Sequence, residues 1–359
     1  MTGWKGSNGM SSEKNLLTDG TVLQTRYKIE KLLGRGGWGA VYKACYISPE
    51  LSRIFGYCAI KEMIPSPHMA IPQETLLEMF SREARTLVQL KHEHIPRITD
   101  YFKEHDSYYL VMEYIEGKDM ETLIEENNFR PFPEEKVFQW AIEICQVLDY
   151  LHTRKPSPYI FRDLKPANII IDRYGKITLV DFGITGLFKH REKDELKFGT
   201  PGYSPPEQYK GQEDPRADIY ALGVTLYYLL TGRDPSKEKL FTLQDSPVTV
   251  FNPSVSAEGE HIILRAIQND INKRYQSSGE MLRDMTDMFW ENISSDRNEK
   301  FTWIETTGHK AIKAPAFTKK LDFKALKVAE TYYKGDKTSC EIFFIPPDRN
   351  IFKETDLCD

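Results

Sequence analysis

The stretch from residue 160 to residue 183 constrains the fold and chemistry of this chain more than any other. Its sequence is Ile-Phe-Arg-Asp-Leu-Lys-Pro-Ala-Asn-Ile-Ile-Ile-Asp-Arg-Tyr-Gly-Lys-Ile-Thr-Leu-Val-Asp-Phe-Gly. Two runs of apolar β-forming residues, 169–171 and 177–180, flank a turn at 173–176, and this pattern predicts a buried hairpin. One end of that hairpin would hold four polar side chains: Asp163, Lys165, Asn168 and Asp181.

Those four side chains form a set suited to phosphate chemistry. Carboxylate and amide oxygens are ligands for Mg²⁺, which keeps several waters and bridges substrate phosphates. The second carboxylate, Asp163, can take a hydroxyl proton, and Lys165 can neutralise charge that develops on a phosphate. Taken alone, the same residues also fit a hairpin with ordinary solvated charges.

At these residues the chain resembles the protein kinase family. The family's catalytic loop is matched by Asp-Leu-Lys-Pro-Ala-Asn at 163–168, and its metal-binding triplet by Asp-Phe-Gly at 181–183. The resemblance implies that Asp163 positions the substrate hydroxyl, and that Asn168 and Asp181 hold Mg²⁺, or Mn²⁺ in its place. The chain departs from the family at Phe161, where His is usual, and this puts the loop's usual hydrogen bonds in doubt.

A glycine-rich segment at 34–39, Gly-Arg-Gly-Gly-Trp-Gly, lies between two predicted strands. A dinucleotide-binding fingerprint needs a helix after the last glycine, and the β-branched and aromatic residues that follow Gly39 argue against one. The resemblance implies instead a loop whose glycines, Gly34, Gly36 and Gly39, let the backbone approach the phosphates of ATP. A tight hairpin without a ligand is the alternative.

Lys61 and Glu83 are the predicted ion pair of the N-terminal half. Lys61 ends the segment Cys-Ala-Ile-Lys, which is similar to the family strand whose lysine contacts the α- and β-phosphates. Apolar residues at helical spacing predict a helix over 80–90, and on it Glu83 matches the family's partner of that lysine. Each side chain would otherwise be an ordinary solvated charge. The pair forms only if the helix packs against the strand, so it would act as an activity switch.

The segment Leu-Val-Met-Glu-Tyr-Ile at 110–115 resembles the family's connection between two lobes. The resemblance implies that the backbone of Glu113 and Ile115 meets the adenine edge and that Met112 closes the back of the pocket. Apolar residues from both lobes would cover the adenine ring: Val41, Ala59, Ile170 and Val180. Without the family pattern, each of these would be interpreted as a core residue.

Framework residues follow in the family's order. Thr200 with Lys165 is the pairing of serine/threonine-type members, and Asp218 would anchor the catalytic loop. A structural ion pair is predicted between Glu207 and Arg274.

The segment from 184 to 199 suggests how the site is controlled. Its only hydroxyl-bearing residue is Thr185. Our hypothesis is that Asp194 or Glu195 supplies the anion that Arg162 would otherwise take from a phosphate, although a solvated loop fits the same sequence.

The resemblance covers residues 27–290 and implies the fold class. It is an α+β, two-lobed protein kinase fold, with a small β-rich N-lobe carrying one key helix (27–113) and a larger, mainly α-helical C-lobe (116–290). Residues 1–26 are predicted to be flexible. Residues 291–359 are predicted to be a linker and a C-terminal extension, to which no role can be assigned.

Composition excludes several other classes. The net charge of −5 gives no general attraction to nucleic acid. The five cysteines are scattered without a Cys-x-x-Cys pair, which favours reduced thiols. No apolar run reaches the roughly 18 residues of a membrane span. We therefore predict a cytoplasmic protein, and the sequence leaves its oligomeric state open.

The sequence as a whole predicts an ATP-dependent serine/threonine protein kinase that acts on protein hydroxyls in signalling. One alternative is a pseudokinase scaffold that binds nucleotide and recruits partners through its tail, but that class loses residues such as Lys61, Asp163 or Asp181, and all three are present. A small-molecule kinase is the other alternative. It would lack the Gly-Thr-Pro-Gly-Tyr platform at 199–203, which favours a protein substrate.

Overall fold

The computed structural model describes residues 4–5, 16–36, 39–65, 72–182, 199–295, 302–306 and 309–313. The chain divides into two units, Met1–Arg283 and Asp284–Asp359. All of the predicted site residues belong to the first unit, whose two-lobed α+β architecture agrees with the predicted fold class.

The N-lobe is a twisted sheet with two helices. Its elements, in chain order, are β1 (Trp4–Lys5), β2 (Val22–Leu23), β3 (Tyr27–Gly36), β4 (Gly39–Tyr46), α1 (Pro49–Phe55), β5 (Tyr57–Met63), α2 (Gln73–Val88), β6 (Ile98–Glu104) and β7 (Ser107–Glu113). The strands lie in the order β1-β3-β4-β5-β7-β6, and β2 pairs with β3. Apolar residues of β3, β4, β5 and β7 form one buried cluster.

Two segments of the N-lobe contain elements that the sequence did not indicate. Within the segment 1–26, β1 and β2 pair with β3, and Leu23 is buried. The segment at 46–56, whose sequence carries no recognised motif, contains α1. Ser48 caps that helix by accepting from Leu51 N, and Pro49 follows it as the first helical residue, a favourable start.

The C-lobe is mainly helical. Its elements, in chain order, are β8 (Gly117–Asp119), α3 (Met120–Glu126), α4 (Glu134–His152), β9 (Ile169–Asp172), β10 (Ile177–Leu179), α5 (Pro206–Tyr209), α6 (Arg216–Thr231), α7 (Val248–Phe251), α8 (Ala257–Ala266) and α9 (Ser278–Ser295). The predicted hairpin is β9 and β10, and β8 pairs with β9. Helix α6 is buried on all sides, as its apolar sequence requires.

The tail contains regular structure within the predicted linker. Helix α9 continues to Ser295, and an antiparallel hairpin follows, β11 (Thr302–Thr306) with β12 (His309–Lys313). The sequence also indicates a short apolar strand at 340–345, a segment that lies outside the described residues. Among the helices that are described, none has the length and apolar character needed to cross a bilayer.

Candidate active site

Asp163, Lys165 and Thr200 form a closed hydrogen-bonded cluster. Thr200 Oγ1 donates to Asp163 Oδ1 at 2.6 Å, and Lys165 Nζ lies 2.9 Å from both Thr200 Oγ1 and Asp163 Oδ2. Asn168 Nδ2 donates to the Asp163 backbone carbonyl at 2.7 Å and to its Oδ2 at 3.2 Å. The predicted catalytic loop therefore brings Asp163, Lys165 and Asn168 together and adds a hydroxyl that is already bonded to Asp163.

A buried carboxylate accepts hydrogen bonds from the backbone of the catalytic loop. Asp218, on α6, accepts from Phe161 N at 2.7 Å and from Arg162 N at 2.8 Å, so the loop does not need a histidine side chain at position 161. His152 Nε2 lies 2.9 Å from Asp218 Oδ2, and its Nδ1 lies 2.6 Å from Ser278 Oγ. Neither His152 nor Ser278 stands out in the sequence, because a histidine at the end of α4 carries no motif of its own.

Phe161 instead packs in the core. Its ring is fully buried and lies edge-on to Phe182, with centroids 5.1 Å apart and an interplanar angle of 77°. The substitution therefore couples the catalytic loop to the segment that carries Asp181 through an apolar contact.

The hairpin β9–β10 brings Asn168 and Asp181 to the same edge of the cleft. Ile169 pairs with Leu179, and just beyond that pair Val180 N donates to Asn168 O at 2.9 Å. Asp181 has a φ of 69°, which is uncommon for a residue with a side chain. Such backbone strain is found at functional sites, where the surrounding structure maintains it.

Lys61 is buried, and its ammonium pairs with Asp181. The predicted pair with Glu83 is not formed in this conformation, in which Glu83 makes no ion pair with Lys61. Glu83 lies instead near the buried hydroxyl of Tyr159. Burial first, and then the Glu83 charge, raise the pKa of Tyr159 well above its usual range.

A cleft between the lobes has an empty volume of about 670 Å³, open to solvent on one side. It is lined by nine of the residues predicted to contact nucleotide: Val41, Ala59, Lys61, Met112, Glu113, Ile115, Ile170, Val180 and Asp181. The lining also includes residues that the sequence did not single out: Leu33, Tyr114, Gly117 and Asp119.

The three predicted loop glycines do not line this cleft. Gly34 and Gly36 belong to β3, and Gly39 begins β4, where it pairs with Gly36. A Cβ on Gly39 would stand 1.8 Å from the Glu62 carbonyl oxygen, so only glycine fits at that position. The close approach of the Glu62 backbone therefore explains why position 39 is glycine, and no bound ligand is needed to explain it.

The side chains at the cleft edge fit a magnesium ion whose coordination shell is completed by the substrate. Asp181 offers a carboxylate and Asn168 an amide, both oxygen donors. In the described part of the chain there is no cluster of three or more His, Cys, Asp or Glu side chains able to hold a metal. A site with two protein ligands, whose other ligands are waters and phosphates, is the arrangement that Mg²⁺ commonly adopts.

Two framework ion pairs border the site. Arg274, which is buried, makes a two-pronged pair with Glu207, as the sequence indicated. Arg162 lies 3.2 Å from Glu213, an acid that no sequence motif marks. Thr185, Asp194 and Glu195 lie outside the described residues, so the hypothesis about them stays a prediction.

Comparisons with known proteins agree with this geometry. A family model described as "Protein kinase domain" matches residues 27–298. Serine/threonine-protein kinase B of Synechocystis is 32% identical over 272 residues, which are 72% of this chain and 46% of that protein. Serine/threonine-protein kinase F of the same organism is 35% identical over 231 residues, 59% of this chain and 45% of that protein. The chain therefore spans less than half the length of these curated relatives.

Among solved structures, the PknI kinase domain of Mycobacterium tuberculosis is similar in fold. It has a TM-score of 0.59 and 26% sequence identity, and the match covers 76% of this chain and 98% of that domain.

Proposed function

The chain belongs to the protein kinase family, and from this premise we propose that it is an active serine/threonine protein kinase, which transfers the γ-phosphate of ATP to protein hydroxyls. The observation that carries the proposal is the hydrogen bond from Thr200 Oγ1 to Asp163 Oδ1 at 2.6 Å. It holds a threonine hydroxyl against the carboxylate in the manner that a substrate hydroxyl would need.

Each residue then has a distinct role. Asp163 orients the acceptor hydroxyl and takes its proton, while Lys165, 2.9 Å away, offsets the negative charge of the transferring phosphoryl group. Lys61 lies in the cleft and would leave Asp181 to contact the α- and β-phosphates when ATP enters. Glu83 would then hold Lys61 in place.

Asp181 and Asn168 would hold Mg²⁺, with Mn²⁺ as a substitute; the bound ion would offset phosphate charge. The adenine would lie between Val41, Ala59 and Ile170, all of which line the cleft. We further propose a cytoplasmic role in signalling, supported by the likeness to bacterial serine/threonine-protein kinases.

The test is incubation of the purified chain with radiolabelled ATP, Mg²⁺ and a generic basic protein, followed by phosphoamino-acid analysis. We expect label on serine or threonine. ATP binding without transfer would contradict the proposal and favour a nucleotide-binding scaffold. Transfer to a small molecule, but to no protein, would contradict the assignment of a protein substrate.

A further inference from the structure

A lysine of the N-lobe lies between two tyrosine rings at the point where the chain leaves that lobe. Lys43 Nζ, on β4, is 3.3 Å from the centroid of the Tyr57 ring and 5.0 Å from the centroid of the Tyr114 ring. The two ring centroids are 6.3 Å apart, and the rings meet edge to face at an interplanar angle of 78°. A cation within about 6 Å of an aromatic centroid is attracted by the quadrupole of the ring. One ammonium group therefore holds both tyrosines.

Strand register explains why these three side chains meet. Tyr57 begins β5, one residue before the position that pairs with Glu113, the last residue of β7. Tyr114 follows directly, as the first residue of the segment that joins the two lobes. Lys43 pairs with Ala59 on β5, and residues two apart on a strand share a face of the sheet. Lys43 and Tyr57 therefore lie on one face, beside the start of the joining segment.

The rings fix the position of Lys43 more closely than the acid beside it does. The carboxylate of Glu30 lies 3.8 Å from the Lys43 ammonium, which is too long for a hydrogen bond. The Lys43 side chain is only 17% exposed, and an ammonium that is largely removed from water gains more from an aromatic face than an exposed one does. The contact therefore fastens Tyr114 to the N-lobe sheet.

Tyr114 connects this cluster to the nucleotide cleft. It lines the cleft together with its neighbours in the chain, Glu113 and Ile115, whose backbones would meet the adenine edge. When such a cleft opens, the lobes turn about the segment that joins them, and a few residues of that segment take up the change in backbone angles. Opening that swings Tyr114 away from the sheet must break its contact with Lys43. The contact therefore opposes the motion that releases a bound nucleotide.

We propose that Lys43, Tyr57 and Tyr114 form a clamp that keeps the joining segment on the N-lobe and slows the release of nucleotide. The inference rests on the proposed kinase function and deepens it, because it names the side chains that control how fast ADP leaves the site. All three are positioning residues, since none of them touches the reacting atoms. Their effect should appear in nucleotide exchange and not in the transfer step itself.

The test measures the dissociation of a fluorescent ADP analogue from the full chain by stopped flow, with excess unlabelled ADP as the chase. Lys43→Met keeps the length of the side chain and removes its charge, so the dissociation rate constant should rise about fivefold, the effect of losing one cation–aromatic contact. Lys43→Arg keeps a cation over the rings and should stay within about twofold of the wild type. Tyr57→Leu, at a ring that is 44% exposed, should also accelerate release. The rate constant of transfer in a single turnover should not change in any of these variants.

Lys103→Met is the matched control. The Lys103 ammonium lies 5.8 Å from the centroid of the Tyr108 ring, at the other end of β7 from the joining segment, so its loss should leave ADP release unchanged. Unaltered release in Lys43→Met would overturn this proposal alone, as would equal acceleration in Lys43→Met and Lys103→Met. Failure of the wild-type chain to bind the ADP analogue or ATP would overturn the proposed function and the clamp with it.

Discussion

The two sides of the cleft differ in how completely their polar residues are assembled. On the C-lobe side, Asp163, Lys165 and Thr200 are mutually bonded, and Asp218 holds the loop that carries them. On the N-lobe side, Lys61 pairs with Asp181 across the cleft and Glu83 is not part of the pair. In terms of the proposed function, the side assigned to phosphate transfer is already assembled, whereas the side assigned to orienting the nucleotide would depend on the position of one further element.

The helix α2 is that element. It begins after Pro72 without a side-chain cap, and it packs mainly on β6. Short-range turns and buried anchors determine the conformation of the catalytic loop. The distance from Glu83 to Lys61 instead depends on how helix α2 lies against β5. Changes to the buried anchors of the C-lobe should therefore affect stability, and changes on α2 should affect turnover.

The largest expected effect is on the stability of the C-lobe. Arg274→Met leaves the buried Glu207 carboxylate unpaired, so the free energy of unfolding should fall by about 3–5 kcal/mol. Urea denaturation measures this. Arg233→Met is the control, because Arg233 pairs with Glu238 near the surface, and it should cost at most about 1 kcal/mol. Equal losses for both variants would mean that the buried pair is not an anchor.

The second-largest expected effect is on turnover, without a change in stability. Glu83→Gln should lower kcat by about 100-fold, because in the proposed mechanism Glu83 holds Lys61 when ATP is bound. It should leave the urea midpoint unchanged, because the pair is absent in this conformation. Glu78→Gln, an exposed position on the same helix, should change neither quantity. Unchanged turnover in Glu83→Gln would remove Glu83 from the mechanism.

The smallest effect concerns the residue near Glu83. Tyr159→Phe removes the buried hydroxyl that lies beside Glu83, and so removes a group that can retain Glu83 in this conformation. We expect kcat to rise about threefold, a modest shift in a two-state equilibrium. Tyr174→Phe, at an exposed turn, serves as the control. A fall in kcat for Tyr159→Phe would show that the hydroxyl supports the active arrangement.

The sequence was most informative where the functional residues lie in short, recognisable motifs. The hairpin follows from its local pattern, whereas the catalytic loop and the pair of Glu207 with Arg274 follow from the resemblance to the protein kinase family, and the structure contains all three. The sequence was least informative where distant elements meet and no family motif marks the residues. The contact of His152 with Asp218 joins residues 66 positions apart. Whether Lys61 pairs with Asp181 or with Glu83 depends on the conformation of the protein, and the spacing of residues in the sequence does not predict that conformation.

In the proposed mechanism, Asp163 acts on the acceptor hydroxyl beside a bound ATP. The most direct measurement compares the wild-type chain with Asp163→Asn, for both γ-phosphate transfer and ATP affinity by calorimetry. We predict that transfer falls by about 10³-fold or more while the Kd for ATP stays within about twofold, since a general base affects the chemical step alone. Asp106→Asn, in the turn between β6 and β7, should leave both quantities unchanged. Equal turnover by Asp163→Asn and the wild type would contradict the account.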